Sequence, residues 1–417
     1  MIYVSSDFDG GSISGPAAFD ADSGPARVEL SPDPRGGPGQ WYCFRLEGAA
    51  FLDVELRIAG LGRSAHPDAW DGAKAVCSYD RKEWFRVPGR LEGDEFVIRC
   101  EPLGNSFFCA AFEPYGYESH LDLIGEIQGS GLCSVDCVAR GPDGRGVDLV
   151  TLGNQAESDY KVWVIARQRP SHAMAEWFAE GFLRRLSDWH DSMSRRLLDL
   201  ATFYVAPCVC PDGAAMGLSL RNPLGADLAR SWGEGAQNAP EIEGLKRAMA
   251  QRGADVALFV DGDESLPYVC LDGFAGGADR YAELFERSLR FDCPDVLGST
   301  AQALSAAQEG ARDGMDPGAS PLGSAWGAAL GSAAGATRGA AKGARESGLG
   351  GQWAAEKLGA LALRITMPFK DNALLPDEDY GWSGQRALRL GESALNPILR
   401  ALTQMDADGR RGGSPIA

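Results

Sequence analysis

The chain has 417 residues, of which 44% are hydrophobic and 24% are charged, a composition typical of globular proteins long enough for two domains. Its formal net charge of −18 argues against nonspecific binding to nucleic acids or anionic membranes, because such binding needs a surplus of Lys and Arg. No apolar run approaches the ~20 residues of a membrane-spanning helix. The N-terminal residues lack the basic and apolar segments of a signal peptide, so we expect a cytoplasmic protein whose ten cysteines stay reduced.

Residues 1–120 have the pattern of an N-terminal antiparallel β-sandwich domain. Short apolar or alternating runs predict strands, and clusters of Gly, Pro and Asp separate them. The clearest runs are 41–46, 52–58, 96–100 and 107–112.

Residues 121–408 alternate between strand-like and helix-like segments, and 409–417 are expected to form a flexible tail. The strand-like runs are 147–152, 162–166, 203–209, 257–260 and 361–365. Helix-like segments lie between them, for example 193–201 and 242–252. This rhythm predicts an α/β domain with a mixed, mainly parallel sheet covered by helices on both faces.

The junction after the apolar run 162–166 is a candidate site. Pro170 and Ser171 break the strand pattern, and the Ser171 hydroxyl is expected to cap the helix that follows. From Met174 to Leu186, apolar residues recur at three- and four-residue spacing, so this helix should bury one face. A strand that ends just before a helix places the intervening residues at the edge of a parallel sheet, where α/β proteins keep their sites.

The stretch 166–181 reads A-R-Q-R-P-S-H-A-M-A-E-W-F-A-E-G. It resembles the zinc-binding segment A-R-Q-H-P-G-E-x-M-A-E-W-F-x-E-G of the cytosolic carboxypeptidase branch of the zinc metallocarboxypeptidases. Arg169 stands where that segment has its zinc-binding His, and His172 where it has its zinc-binding Glu. Further matches are found at 6–13, 41–45, 78–88, 114–115 and 120–124. The resemblance implies a carboxypeptidase-like α/β domain behind the N-terminal domain.

The same resemblance assigns the remaining family roles to positions where the residue has changed. Asp261 replaces the third zinc ligand, a His, at the head of a segment that matches the G-D-E-x-L-P part of D-x-H-G-D-E-x-L-P. Thr366 precedes M-P-F-K-D at the position of the catalytic Glu, and Leu220 replaces the Arg that polarises the substrate carbonyl. Arg221 is one residue away and should face elsewhere in an extended segment. Only Arg230 matches its family counterpart, the Arg that grips the carboxylate of the substrate.

These replacements imply that no catalytic residue, no metal-binding residue and no cofactor is to be expected. An Arg guanidinium at position 169 has no lone pair for a metal, and Thr366 cannot act as a general base near neutral pH. The first hypothesis is therefore a catalytically inactive homologue that binds a peptide C-terminus or a protein partner.

Two alternatives stay open. One is an active hydrolase with a rebuilt zinc site around His172, Asp261 and either Cys210 or Asp212. The other is a regulatory or scaffold subunit that uses the Ala/Gly-rich segment 298–351, which is expected to be a flexible insertion or an Ala-rich helix packed on a partner.

Simpler structural roles are also consistent with these residues. His172 could be packed in a former cleft, and Arg230 could be a structural ion-pair residue. Cys208 and Cys210 are expected to share one face of a strand as buried thiols. The acidic residues at 263–264 could serve as loop anchors.

The charges of the replaced residues suggest what fills the former zinc site. A deleted zinc ion would leave its carboxylates without a counter-ion, which is costly in a buried cleft. Here both Glu positions hold uncharged residues, while a cation, Arg169, and an anion, Asp261, occupy the two His positions. Since two ligands of one ion lie close together, the sequence predicts a direct ion pair between Arg169 and Asp261.

Overall fold

The computed structural model describes residues 1–20, 24–156, 158–274, 279–300 and 349–410. The Ala/Gly-rich segment predicted at 298–351 and the tail predicted at 409–417 lie almost entirely outside these residues. Within the described ranges, no helix has both the length and the apolar character needed to cross a membrane.

The N-terminal part forms one nine-stranded sheet. In chain order its strands are β1 (Ile2–Ser5), β2 (Ala18–Phe19), β3 (Ala26–Glu29), β4 (Cys43–Glu47), β5 (Val54–Ala59), β6 (Lys74–Ser78), β7 (Phe85–Glu92), β8 (Glu95–Cys100) and β9 (Ser106–Ala110). They are arranged in the order β2-β1-β4-β9-β6-β7-β8-β5-β3. Among the strand pairs of the described residues, β3–β5 is the parallel one in this sheet.

This sheet curls over a single apolar core. Val4 and Phe44 from one half of the sheet share a cluster with Val28 and Ile58 from the other half. The predicted sandwich is therefore one continuous, mainly antiparallel sheet whose two halves face each other, so that it is nearly barrel-shaped.

The second sheet has eight strands and is mixed, as predicted. They are β10 (Cys133–Arg140), β11 (Gly146–Leu152), β12 (Tyr160–Ala166), β13 (Ala201–Ala206), β14 (Val256–Asp263), β15 (Val269–Gly273), β16 (Val296–Gly298) and β17 (Leu361–Pro368). Their order is β10-β11-β13-β12-β14-β17-β15-β16. The four central strands, β13, β12, β14 and β17, run parallel.

Helices cover both faces of this sheet. They are α1 (Tyr117–Gly129), α2 (Ala173–Leu186), α3 (Ser192–Leu200), α4 (Pro211–Ala215), α5 (Pro240–Arg252), α6 (Asp279–Asp292), α7 (Gly350–Leu358), α8 (Gly384–Ser393) and α9 (Leu395–Ala407). Alternate residues of β12 point to opposite faces. Val162 and Val164 share a core with α2, α3, α8 and α9, whereas Trp163 and Ile165 share another with α5 and α7.

Each strand predicted from an apolar run has an observed counterpart, and one predicted boundary is wrong. The run at 203–209 was expected to be a single strand, but β13 ends at Ala206. Cys208 and Cys210 therefore lie beyond the strand and do not share a strand face. Both are buried free thiols, as the simpler interpretation expected.

The two domains are joined through a backbone segment that passes close to the β12–α2 junction. The carboxylate of Asp33, in the N-terminal domain, accepts hydrogen bonds from the N–H groups of Ser219 (2.7 Å), Leu220 (2.7 Å) and Arg221 (3.0 Å). The carbonyl of Ser219 in turn accepts the N–H of Ser171 at 3.0 Å. The N-terminal domain thereby helps to fix the loop that carries the candidate site residues.

Arg86 on β7 is a second link between the domains. Its side chain is buried and donates to the carbonyl oxygens of Phe369 (2.9 Å), Trp382 (2.8 Å) and Tyr380 (3.1 Å). Burial lowers the pKa of Arg86 to about 10. The guanidinium thus supplies hydrogen bonds to three carbonyl oxygens at the domain boundary.

We predict that Arg86→Met lowers the free energy of unfolding by about 3 kcal/mol, because it strands buried carbonyl groups. Urea denaturation measures this change. The matched control is Arg90→Met on the same strand, whose exposed guanidinium pairs with Glu92; it should change stability by less than about 0.5 kcal/mol. Equal effects of the two substitutions would contradict the role given to Arg86.

Candidate active-site cleft

The predicted site residues meet at the carboxyl edge of three neighbouring parallel strands. Arg169 and His172 follow β12, Asp261 lies near the end of β14, and Thr366 lies on β17. The strand register places Asp261 directly opposite Thr366. This is the edge at which an α/β sheet gathers side chains from several strands.

Arg167 fixes the loop between β12 and α2. Its backbone has a φ of 51°, a left-handed conformation that costs energy for a residue with a side chain. The buried guanidinium donates to the carbonyl oxygens of Pro170 (3.0 Å) and Tyr115 (2.7 Å) and to the carboxylate of Glu176 (2.6 Å). These contacts hold the tight turn that aims the following residues into the cleft.

Glu176 on α2 stabilises the turn at Arg167 by accepting a hydrogen bond from its guanidinium. It is fully buried, and its second oxygen lies 2.6 Å from Nδ1 of His120, whose Nε2 lies 3.1 Å from Asp148. Burial alone would raise the pKa of Glu176, but the charge of Arg167 and the contact with His120 outweigh it and lower that pKa. Burial likewise opposes the charge on His120, yet Asp148 and Glu176 raise the pKa of His120 to about 9.

His172 is a buried cation held between two carboxylates. Its Nδ1 lies 2.6 Å from Asp261 Oδ1, and its Nε2 lies 3.2 Å from Glu264 Oε1. The side chain is fully buried. Burial alone would lower the pKa of His172, but the charges of Asp261 and Glu264 outweigh it and raise the pKa to about 9. At neutral pH the ring is therefore an imidazolium.

The contacts of Nδ1 show where one of the two N–H groups of this ring donates. The N–H of Gly262 also lies 2.9 Å from Nδ1, but Nδ1 cannot accept from Gly262 while it donates to Asp261. A separation of 2.6 Å between Nδ1 and an ionised carboxylate oxygen requires a proton between them. We therefore assign Nδ1 of His172 as the donor to Asp261.

Glu264 connects this cluster to the N-terminal domain. Its second oxygen lies 3.6 Å from Nε2 of His66. Burial would raise the pKa of Glu264, but His66 and His172 hold it well below its usual range. The sequence patterns did not indicate that Glu264 and His66 take part in the site. For His66 the reason is that it belongs to the other domain and lies in no family motif. The neighbouring Asp263 is a loop anchor, as considered above, accepting from the N–H groups of Ser265 and Leu266.

Arg169 is paired with a different carboxylate from the one predicted. Both Arg169 and Asp261 lie in the described part of the chain, and their direct ion pair is not formed. Instead, Arg169 binds Asp227 through two hydrogen bonds of 3.2 and 2.9 Å, while Asp261 pairs with His172. The prediction was wrong because His172, three residues further along, reaches Asp261 and leaves Arg169 directed toward the short turn Leu228–Arg230.

Arg230 lies at the exposed end of the same cluster. Its Nε is 3.7 Å from Asp227 Oδ2, and its side chain is 53% exposed. Its contact with Asp227 fits the expectation that Arg230 is an ion-pair residue, and its exposure leaves the guanidinium accessible to a ligand.

The residues around Leu220 are fixed mainly by the N-terminal domain. The Leu220 N–H is bound by Asp33. Arg221 donates to the carbonyl of Gly225 at 3.2 Å and lies against Gly37, so its guanidinium faces the neighbouring loops, consistent with the expectation that it points elsewhere.

The side chains proposed for a rebuilt metal site lie in separate environments. The buried carboxylate of Asp212 accepts from the N–H of Asp143 at 2.7 Å and from the guanidinium of Arg145 at 3.1 Å. The thiol of Cys210 is fully buried, and burial followed by the charge of Glu241 raises its pKa well above the usual range. Among the residues that the structure describes, no three His, Cys, Asp or Glu side chains are grouped to hold a metal ion.

Ser171 does not act as predicted. The helix α2 begins at Ala173 and has His172, not Ser171, at its N-cap position. Within the described residues, the buried hydroxyl of Ser171 has no hydrogen-bond partner. The prediction was wrong because the turn set by Arg167 moves the start of the helix further along the chain.

Comparison with known proteins decides the family. A model of the cytosolic carboxypeptidase N-terminal domain matches residues 4–112, and a model of the zinc carboxypeptidases matches residues 121–256. A metallo-carboxypeptidase from Burkholderia cenocepacia is 31% identical with a TM-score of 0.82, and the match covers 97% of this chain and 100% of that one. The chain belongs to the zinc carboxypeptidase family.

Other relatives of this zinc carboxypeptidase homologue match it over nearly the whole length. A metallo-carboxypeptidase from Pseudomonas aeruginosa, in complex with (2-guanidinoethylmercapto)succinic acid, is 30% identical with a TM-score of 0.79; the match covers 97% of this chain and 99% of that one. An uncharacterized protein from Zymomonas mobilis is 29% identical over 427 residues, covering 98% of this chain and 99% of that one.

The side chains at the three positions that the motifs assign to zinc ligands do not fit a zinc ion as they are arranged. Arg169 offers no lone pair to a metal. His172 lies between its two carboxylates, with Asp261 on one side of the ring and Glu264 on the other. The donor atoms therefore do not converge on one point, as a tetrahedral zinc site requires.

The charge of His172 makes a testable contribution to stability. Its folded pKa of about 9 exceeds the unfolded value of ~6.5. The stabilisation is therefore complete below pH ~6.5 and is lost as the pH rises through 9. Relative to His172→Gln, the wild-type protein should lose roughly 3 kcal/mol of its stability advantage between pH 6.5 and pH 9.5.

Urea denaturation of both proteins across this pH range measures the difference. The control variant is His190→Gln, because His190 is exposed between α2 and α3. The difference in stability between this variant and the wild type should not vary with pH. A His172→Gln difference that is constant with pH would show that the imidazole is not charged in the folded state.

Proposed function

We propose that this chain is a catalytically inactive zinc carboxypeptidase homologue that binds the C-terminal carboxylate of a peptide in the cytoplasm. The observation that carries the proposal is the position of the His172 ring, which lies between Asp261 and Glu264 where the family motif has a zinc ligand. A protonated ring in that position offers a metal no lone pair.

The absence of hydrolysis follows from what the reaction needs. Metal-assisted peptide hydrolysis requires an activated water, a base to take its proton and a cation to polarise the scissile carbonyl. At the positions that the motifs assign to the last two roles, the chain has Thr366 and Leu220. A hydroxyl and an alkyl group can supply neither function near neutral pH.

Binding of a carboxylate is supported by the arginines at the mouth of the cleft. The side chain of Arg230 is 53% exposed, and it matches the family Arg that grips the substrate carboxylate. Arg169 lies beside it and is 17% exposed. Guanidinium groups suit this task because they bind a carboxylate through two parallel hydrogen bonds. The relative from Pseudomonas aeruginosa is in complex with a succinic acid derivative, itself a carboxylate compound.

One experiment tests binding and inactivity together. Purified protein is incubated with N-acetylated tetrapeptides whose last residue is randomised, as free acids and as C-terminal amides. Binding is measured by calorimetry, cleavage by mass spectrometry and metal content by elemental analysis. We expect binding of the free acids only, no release of the last residue and no stoichiometric zinc.

The matched variants are Arg230→Gln and Arg400→Gln. The first should weaken binding of the free acids by at least about tenfold, whereas the second removes an exposed guanidinium on α9 and should have no effect. Near one zinc per chain, together with cleavage that is lost in His172→Ala, would instead establish the active hydrolase. Equal binding of acids and amides would refute carboxylate recognition.

A further inference from the structure

Asp227 binds the Arg169 guanidinium that a ligand carboxylate would need. The inference from this contact extends the proposed function and rests on it. We infer that the carboxylate of Asp227 is an internal ligand of the Arg169 and Arg230 guanidinium groups, which a peptide C-terminus must displace from Arg169 in order to bind both.

The contacts of Asp227 are those that a bound carboxylate would make. Both of its oxygens accept from Arg169, at 3.2 and 2.9 Å, in the two-pronged geometry that Arg–carboxylate pairs adopt. Oδ2 also lies 3.7 Å from Nε of Arg230. One carboxylate thus bridges the two guanidinium groups.

The position of Asp227 in the chain allows it to move away. Asp227 lies at the start of the short turn Leu228–Arg230, where its Oδ1 also accepts the N–H of Ala229 at 3.2 Å. Its side chain is 21% exposed and that of Arg169 is 17% exposed. Because both side chains reach solvent, a ligand carboxylate can exchange with that of Asp227.

The charges around Arg169 explain why the occupant matters. Burial would lower the pKa of Arg169, but Asp227 and, to a smaller extent, Asp261 and Glu264 raise it. Asp261 and Glu264 are already paired with His172, so Asp227 is the carboxylate that directly neutralises Arg169. While Asp227 is bound to Arg169, an incoming ligand carboxylate is repelled by the like charge of Asp227. That charge lies within hydrogen-bonding distance of the guanidinium that the ligand would have to bind.

Occupation of Arg169 by Asp227 lowers the apparent affinity for a ligand carboxylate. In part of the population Asp227 occupies Arg169. The apparent affinity of the site is therefore the intrinsic affinity multiplied by the fraction of molecules in which Arg169 is released.

The test uses the intact chain and the substitution Asp227→Asn, which keeps the shape and removes the charge. Calorimetric titration with the N-acetylated free-acid tetrapeptides should show tighter binding than in wild type, by a few-fold to about tenfold. Asp136→Asn is the matched control, because it removes the same charge from another Arg-paired Asp, on β10, and should leave the affinity unchanged.

The outcomes separate this inference from the proposed function. If wild type binds the free acids in an Arg230-dependent way and Asp227→Asn binds them no more tightly, Asp227 is not an internal ligand, while the proposed function stands. If neither protein binds the free acids, both fail. If both Asp→Asn variants gain equally, the effect comes from net charge, and the inference is overturned.

The role of Arg169 is checked with Arg169→Gln in the wild-type and Asp227→Asn backgrounds. If Asp227 withholds Arg169 from the ligand, the gain produced by Asp227→Asn should disappear when Arg169 is absent. A gain that persists without Arg169 would contradict the inference. Circular dichroism confirms in each case that the variant is folded.

Discussion

The imidazole ring of His172 lies between two buried carboxylates at the centre of the cleft, and the arrangement of the surrounding residues depends on it. Isolated buried charges are costly, whereas a cation that donates to two anions satisfies all three groups. His172 supplies this cation from the start of α2, and Asp261 and Glu264 supply the anions from β14 and the loop after it. Because His172 takes Asp261, Arg169 is left to pair with Asp227 at the mouth.

This pairing is held in place by contacts that come from outside the cleft. The left-handed turn at Arg167 is stabilised by Glu176, which is itself bound by His120. The N-terminal domain adds Asp33, which binds the backbone around Leu220, and His66, which approaches Glu264. The geometry of the cleft is therefore a property of both domains together, and the N-terminal sheet is part of the site as well as its neighbour.

The sequence predicted the fold for identifiable physical reasons. Strands such as β12 and β14 are buried on both faces, so they appear as apolar runs that can be recognised without a structure. The matches to the family motifs predicted that His172 and Asp261 lie at the same edge of the sheet, and the two side chains are in contact there.

The sequence could not predict the partner that each charged group chooses. Asp227 and Asp261 both lay within plausible reach of Arg169, and only the direction of the loop decides between them. His66 joins the site across a domain boundary, and no sequence spacing reports such a contact. Ser171 shows the same limit at short range, because a helix start can move by a residue or two when a neighbouring side chain fixes the turn.

The most direct test of the account is the protonation state of His172, measured by nitrogen NMR on protein with isotopically labelled histidine. The chain has four histidines, and the spectrum of His172→Gln assigns the signal. The account predicts that at pH 7.5 both ring nitrogens of His172 carry a proton and that added zinc leaves their shifts unchanged. A neutral ring at this pH, or a nitrogen signal that moves when one equivalent of zinc is added, would contradict it.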